Sequence, residues 1–275
     1  MLPASDLQVF LRFAERIADE TGRMLREQRQ TGRGTASVFD TKADLSPVTE
    51  LDRRIEARMR ELIKAAFPHH GILGEEFAPD AIDAEFVWVI DPIDGTKQFV
   101  AGIPVYGTLI SLAHAGQPVI GVIDHPITGE RWAGAAGRPS TLNGQPIATR
   151  ACDRLADALM SCSNPETIGP AQRMGFERVR AATRWRIYGA SCYAYASLAS
   201  GQIDLSIDSG GHREVDYCAL VPVIEGAGGA ISDWEGRPLT IHSGSSLIAA
   251  GDPRRHADAL RLLQDDAQHS AGRST

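Results

Sequence analysis

Apolar residues recur at helical spacing through the first stretch of the chain. Leu7, Leu11, Ala14, Ile17, Ala18 and Leu25 share one face, and Ser5 can cap the start. That helix is predicted to end near Thr31-Gly-Arg-Gly34, and Ala36 to Thr41 reads as a short strand. Ser46-Pro47 marks a turn, and Thr49 with Asp52 three residues later resembles a capping box. The helix that follows runs to about Ala66, with Leu51, Ile55, Leu62 and Ile63 on one face, and Pro68 and Gly71 close it. Then the period changes. Phe86-Val-Trp-Val-Ile90 is a compact apolar run ending in Asp91 and reads as a buried strand. Tyr106 to Ala113 and Val119 to Ile123 read as two more, separated by a turn from His114 to Pro118. Further strands are predicted at Leu159 to Cys162, Ile203 to Ile207 and Leu247 to Ala250. Helices are predicted at Ala171 to Ala182, Ser191 to Ser200, Val215 to Gly226 and Ala257 to Leu263.

This irregular alternation, with hairpins in the middle, predicts layered α and β structure rather than a regular parallel βαβ fold. A soft boundary near Arg150-Ala-Cys-Asp153 separates an N-terminal half, 1–150, from a C-terminal half, 151–266. The polar tail, 267–275, is expected to be disordered.

Composition narrows the classes of function. With 43% of 275 residues hydrophobic, the chain can bury a sizeable core. No apolar run reaches the roughly 18 residues needed to cross a membrane, so no membrane partner is expected. The first 20 residues are amphipathic with early acids, and do not read as a secretory signal. Four cysteines without a CxxC pair suggest reduced thiols in a cytoplasm. A net charge of -7 with scattered arginines argues against nucleic acid as a partner. It leaves an anionic substrate open, because bound cations can reverse a local field.

The chemistry is carried by Asp91-Pro-Ile-Asp94-Gly-Thr96. A strand delivers Asp91, Pro92 lacks an amide hydrogen, and Gly95 permits a tight turn, so the two carboxylates and the Ile93 carbonyl can face one point. Two carboxylates about 4 Å apart repel by roughly 4 kcal/mol at an effective dielectric of 20. Such a pair needs a proton, a basic partner or a cation, and oxygen ligands favour a hard ion such as Mg²⁺. Taken alone, Asp-Pro and Asp-Gly are equally well explained as a plain turn. Two more segments change the picture. Gly74-Glu75-Glu76 follows the predicted strand Ile72-Leu73, and Asp216 opens the helix predicted to run to Gly226.

In that order and spacing, these pieces, with Glu225-Gly-Ala-Gly-Gly229, resemble the inositol-monophosphatase superfamily over nearly the whole chain. The resemblance implies an αβαβα sandwich, commonly a homodimer, that hydrolyses a small phosphorylated metabolite through a metal-activated water. Carried over, it implies that Glu75, Asp91, the Ile93 carbonyl, Asp94 and Asp216 bind two or three Mg²⁺ ions. It implies that Thr96 orients the attacking water with help from Glu75, and that Asp52 hydrogen-bonds that threonine. The amides of Gly95 and Thr96 would hold phosphate oxygens. Lys42 and Asp44 would belong to a mobile loop supported by Thr49.

The finer match is to the histidinol-phosphate phosphatase branch. It rests on Thr96-Lys-Gln-Phe-Val100, Gly102-Ile-Pro-Val-Tyr-Gly-Thr108, Gly121-Val-Ile-Asp-His-Pro126 and Glu130-Arg-Trp132. It implies histidinol phosphate as substrate and a place in histidine synthesis. An inositol phosphate, a sugar phosphate or a nucleotide 3′-phosphate is the alternative. Two departures fall where the leaving group would be read. Ser191 stands where that branch usually has an acid, and Asp208 to Val215 is altered before the metal-binding acid. Ser191, Asp208 and His212 are the candidate substrate contacts, with Glu214 a further acid that could compensate. A serine nucleophile is not indicated, because Gly189-Ala-Ser-Cys-Tyr193 is not GxSxG.

Overall fold

The computed structural model describes residues 2–31, 40–41 and 47–271. Helix α1 (Ala4–Thr31) is followed by a two-residue pair, β1 (Asp40–Thr41) and β2 (Pro47–Val48), and by α2 (Glu50–Ala66). Thr49 caps α2 as its sequence suggests: its N–H donates to Asp52 Oδ2 at 2.8 Å while the Asp52 N–H points back at its hydroxyl. The predicted strand from Ala36 lies outside the described residues up to Asp40.

A seven-stranded sheet comes next, its strands lying side by side in chain order. They are β3 (Gly71–Gly74), β4 (Phe86–Asp94), β5 (Gly107–His114), β6 (Gln117–His125), β7 (Glu130–Ala135), β8 (Thr141–Leu142) and β9 (Gln145–Pro146), with α3 (Thr96–Ala101) inserted after β4. Only β3 and β4 pair parallel; the rest is an antiparallel meander. The strands of the second sheet are β10 (Leu159–Cys162), β11 (Trp185–Tyr188), β12 (Leu205–Asp208), β13 (Ala230–Ser232) and β14 (Leu247–Ala250). Their order in space is β11-β10-β12-β14-β13. Its helices are α4 (Pro170–Ala182), α5 (Ser191–Ala199), α6 (Glu214–Tyr217), α7 (Leu220–Gly226) and α8 (Pro253–Ala271).

The layers follow from side-chain alternation along buried strands. In β4, Trp88 and Ile90 face α1 and α2, while Val87 and Val89 face the middle of the molecule. There they meet α5, α6 and α7. In β14, Leu247 and Ala249 face the same middle layer, while Ile248 and Ala250 pack with α4 and α8. The result is an αβαβα sandwich. The middle core draws on both sheets, so residues before and after Arg150 share one continuous interior.

Three expectations are corrected. The helix predicted from Val215 to Gly226 is two helices, α6 and α7. The hydrogen-bond ladder lapses between them although Cys218 and Ala219 keep helical dihedrals, and Pro222, which has no N–H, falls in the first turn of α7, where that donor has no helical partner. The last helix, predicted from Ala257 to Leu263, is longer, because α8 runs Pro253–Ala271. And β7, β11 and β13 are strands that hydrophobic patterning did not indicate.

Candidate active site

Residues three apart in a regular strand point to opposite faces, so Asp91 and Asp94 need a device to share one. The pairing of β4 with β5 supplies it: Asp91 lies opposite Leu109 and Asp94 opposite Gly107, one extra residue on the β4 side. The bulge is pinned from both ends. Ile93 N–H donates to Asp91 Oδ1 at 2.9 Å, and the Thr108 hydroxyl donates to the Pro92 carbonyl at 2.9 Å. Next door, parallel β3 ends at Gly74 opposite Ile90, which releases Glu75 at the same end of the sheet as Asp91.

Asp216 arrives from α6, which packs on β4. One oxygen from each of Asp91, Asp94 and Asp216 lies within 4.8 Å of the others. Glu75 borders this group, within hydrogen-bonding reach of Asp91. Asp94 is held by the Cys192 N–H at 2.7 Å and Asp216 by the Arg213 N–H at 2.6 Å.

The electrostatics are those of crowded carboxylates, with His212 the one cation that acts on Asp94 and Asp216 among the described residues. Burial, then the charges of Glu75, Asp94 and Asp216, push the Asp91 carboxyl well above its ordinary range. Burial also raises Asp94, against the bonds from Cys192. Asp216 is pushed up to about 7, mainly by burial, with His212 opposing and Asp94 and Glu75 adding to the rise. Burial raises Asp52 too, against its bonds from Thr49 and with the charge of Glu75 adding to it. Every donor is oxygen, the Ile93 carbonyl lies between two of the acids, and Asp52 Oδ1 is buried with no hydrogen-bond partner among the described residues. This set fits one or more hard divalent cations.

The acids open onto a cleft of about 210 Å³ whose wall includes Glu75, Gly95, Thr96, Ser191, His212 and Asp216. Gly95 takes φ of 84° to turn the chain from β4 into α3. An added Cβ would meet only ordinary contacts there. Gly95→Ala should therefore cost about 1–2 kcal/mol through its dihedral alone, measurable as a lower urea midpoint with an unchanged slope.

The other expected residues fall in different places. The Thr96 hydroxyl donates to the Ile93 carbonyl at 3.1 Å and makes no hydrogen bond to Asp52, whose Oδ2 is taken by Thr49; this corrects the expected Asp52–Thr96 pair. Asp208 is fully buried. It accepts from Ser163 N–H at 2.7 Å, Ser163 hydroxyl at 3.0 Å and Tyr195 hydroxyl at 2.8 Å, and so braces the second sheet instead of lining the cleft. His212 lines the cleft; burial works against its charge, but Asp208, Asp216 and Asp94 together raise its pKa. Ser191 sits at the cleft with φ of 45°, at the start of α5. Glu214 pairs with Arg213 at 3.2 Å. Lys42 and Asp44 lie outside the described residues. One contributor carried no sequence signal: the Cys192 amide, because any residue has one.

The profile of the inositol monophosphatase family matches residues 6–268. The chain is 42% identical over 272 residues to the bifunctional phosphatase IMPL2, chloroplastic, of Arabidopsis thaliana, covering 96% of this chain and 77% of that one. It is 32% identical to a histidinol-phosphatase of Chlorobaculum parvum, covering 88% of this chain and 92% of that one. A solved inositol monophosphatase from Zymomonas mobilis superposes with a TM-score of 0.84 at 38% identity, over 94% of this chain and 98% of that one. No helix among the described residues is long and apolar enough to cross a membrane. The family is metal-dependent and acts on small phosphorylated metabolites, which agrees with an all-oxygen acid cluster at a small cleft. The chain belongs to the inositol monophosphatase family and is a phosphoric monoester hydrolase.

Proposed function

We propose that this enzyme hydrolyses histidinol phosphate to histidinol and phosphate, with two or three Mg²⁺ ions in the acid cluster. The observation that carries the reading is the likeness to a histidinol-phosphatase over most of both chains, joined to the branch-like run from Trp88 to Trp132. Glu75, Asp91, Asp94, Asp216 and the Ile93 carbonyl would hold the ions. When bound, these neutralise phosphate charge and make water a better nucleophile. The Thr96 hydroxyl commits its hydrogen to the Ile93 carbonyl, so its lone pairs are left to accept a hydrogen from the attacking water. The Glu75 carboxylate would take the second hydrogen of that water as a proton and return it, through solvent, to the alkoxide that leaves as the ester P–O bond breaks. The amides of Gly95 and Thr96 hold phosphate oxygens. In this reading residues 1–150 bring most of the ion ligands, and 151–266 bring Asp216 with the substrate contacts Ser191 and His212. The enzyme acts in the cytoplasm as a homodimer, for which Trp185, Ile187 and Tyr188, exposed on the edge strand β11, offer apolar area.

One observation favours a second reading, an inositol phosphate or another neutral polyol phosphate. Among the described residues, the only acids on the cleft wall are Glu75 and Asp216, and both belong to the ion cluster. A cationic leaving group then lacks a dedicated counter-charge. Phosphate release from a panel of histidinol phosphate, inositol 1-phosphate, a sugar phosphate and a nucleotide 3′-phosphate separates the two. The histidinol reading predicts a kcat/KM at least about tenfold above the others, about 1.4 kcal/mol in transition-state binding. Turnover of the inositol ester with histidinol phosphate left intact would reject it.

A further inference from the structure

We propose that Glu56 is a positioning residue that fixes Glu75 for cation binding; the proposal rests on Glu75 being an ion ligand. Glu56 lies on α2 one turn beyond Asp52, and it is fully buried although charged. Its two oxygens have separate tasks. Oε2 accepts the Glu76 N–H at 2.6 Å, and Oε1 accepts Arg60 Nε at 2.8 Å. Arg60, one helical turn further on, donates through Nη2 to the Phe77 carbonyl at 3.2 Å. Its guanidinium also lies over the Phe77 ring, 5.7 Å from the centroid.

The pair therefore grips the backbone immediately after Glu75. It grips the residue before as well. A Cβ added to Gly74 would come within 2.1 Å of Glu56 Oε1 and 2.5 Å of its Cδ. The end of β3 thus rests directly on this carboxylate, and a side chain at 74 would push the two apart. Glu75 sits between the two gripped positions. Its direction into the cluster is set from behind by groups that do not line the cleft.

The chemistry of the pocket explains why a carboxylate is needed. Two donors, the Glu76 N–H and the Arg60 guanidinium, converge on it from different sides. A glutamine keeps the shape but must turn its NH₂ toward one of them. Either the backbone hydrogen bond or the arginine contact is then lost, and Glu75 is free to drift from the ions.

The test measures Mn²⁺ binding to the full chain by the electron paramagnetic resonance of the unbound ion, beside Mg²⁺ titrations of phosphate release. Glu56→Gln should weaken Mn²⁺ binding about 10–100-fold, the usual cost of losing support behind a ligand. It should raise the Mg²⁺ needed for half-activity by a similar factor. kcat at saturating Mg²⁺ should stay within about threefold of the parent, because the ligands themselves are intact. A purely structural role would lower the melting temperature and the active fraction but leave Mn²⁺ affinity alone. Glu61→Gln, on the exposed side of the same helix and paired with Arg58, is the control expected to change nothing. If Glu56→Gln does not fold, Gly74→Ala is used instead. It keeps the carboxylate, displaces the strand from it, and should weaken Mn²⁺ to the same degree. Parent-like Mn²⁺ affinity in either folded variant overturns the proposal. Absence of Mn²⁺ binding by the parent protein would instead overturn the underlying ion-site reading.

Discussion

Asp94→Asn should lower kcat/KM for phosphomonoester hydrolysis by roughly 10³-fold, beyond the 10–100-fold typical of residues that only support a ligand. The same substitution should raise the melting temperature of the metal-free protein. Both expectations come from one geometry. Asp94 is one of three acids whose oxygens lie within 4.8 Å of one another, and its carboxyl is raised by burial in the absence of a cation. Asparagine keeps the acceptor for the Cys192 N–H but removes one of the charges that repel in the empty cluster. The enzyme loses a ligand and the fold loses a strain. Circular dichroism and thermal melts in chelator, set against kinetics in Mg²⁺, separate the two effects. Unchanged turnover in a well-folded variant would refute the site assignment.

Mg²⁺ should stabilise the protein far more at pH 8 than at pH 6. In the metal-free state Asp216 is pushed up to about 7, and Asp91 and Asp94 are also raised. For an acid whose folded pKa lies above its unfolded one, stability is fully present below the unfolded pKa. It is lost as pH rises through the folded pKa. Over the window from about 4 to about 7 the metal-free fold therefore weakens, because the unfolded chain gives up the proton that Asp216 keeps in the folded state. A bound cation removes that loss, and at lower pH it must first displace protons. Buried His125, lowered to about 4 by burial, works in the opposite direction, but it contributes equally with and without the ion. The quantity to read is thus the Mg²⁺-induced change in melting temperature, not the melting temperature itself. A shift that is equal or smaller at pH 8 would contradict the crowded-carboxylate account.

The acids and their neighbours were legible because chemistry at a strand end leaves short, ordered motifs. Asp91, Asp94 and Glu75 could be placed from the apolar runs that precede them, and the Thr49–Asp52 cap from its spacing. The device that aligns Asp91 with Asp94 was not legible. A bulge is set by pairing with Leu109 and Gly107, residues far along the chain. Asp208 misled for a related reason. An acid beside a glycine-rich loop reads as a ligand-facing group, yet here Ser163 and Tyr195, from two other segments, turn it inward. Strand β11 escaped because all four of its residues are exposed, so no buried face marked it in the sequence. Pro222 was in plain view, and a proline is tolerated in the first turn of a helix, so it could have marked the start of a second one.

The most direct measurement is an anomalous difference map from crystals soaked in Mn²⁺. Separate segments of chain should be found enclosing the ions, with peaks about 2.0–2.2 Å from carboxylate oxygens of Asp91, Asp94 and Asp216, and with Glu75 turned toward them. Peaks located elsewhere, or none at full Mn²⁺ occupancy of the active enzyme, would contradict the account.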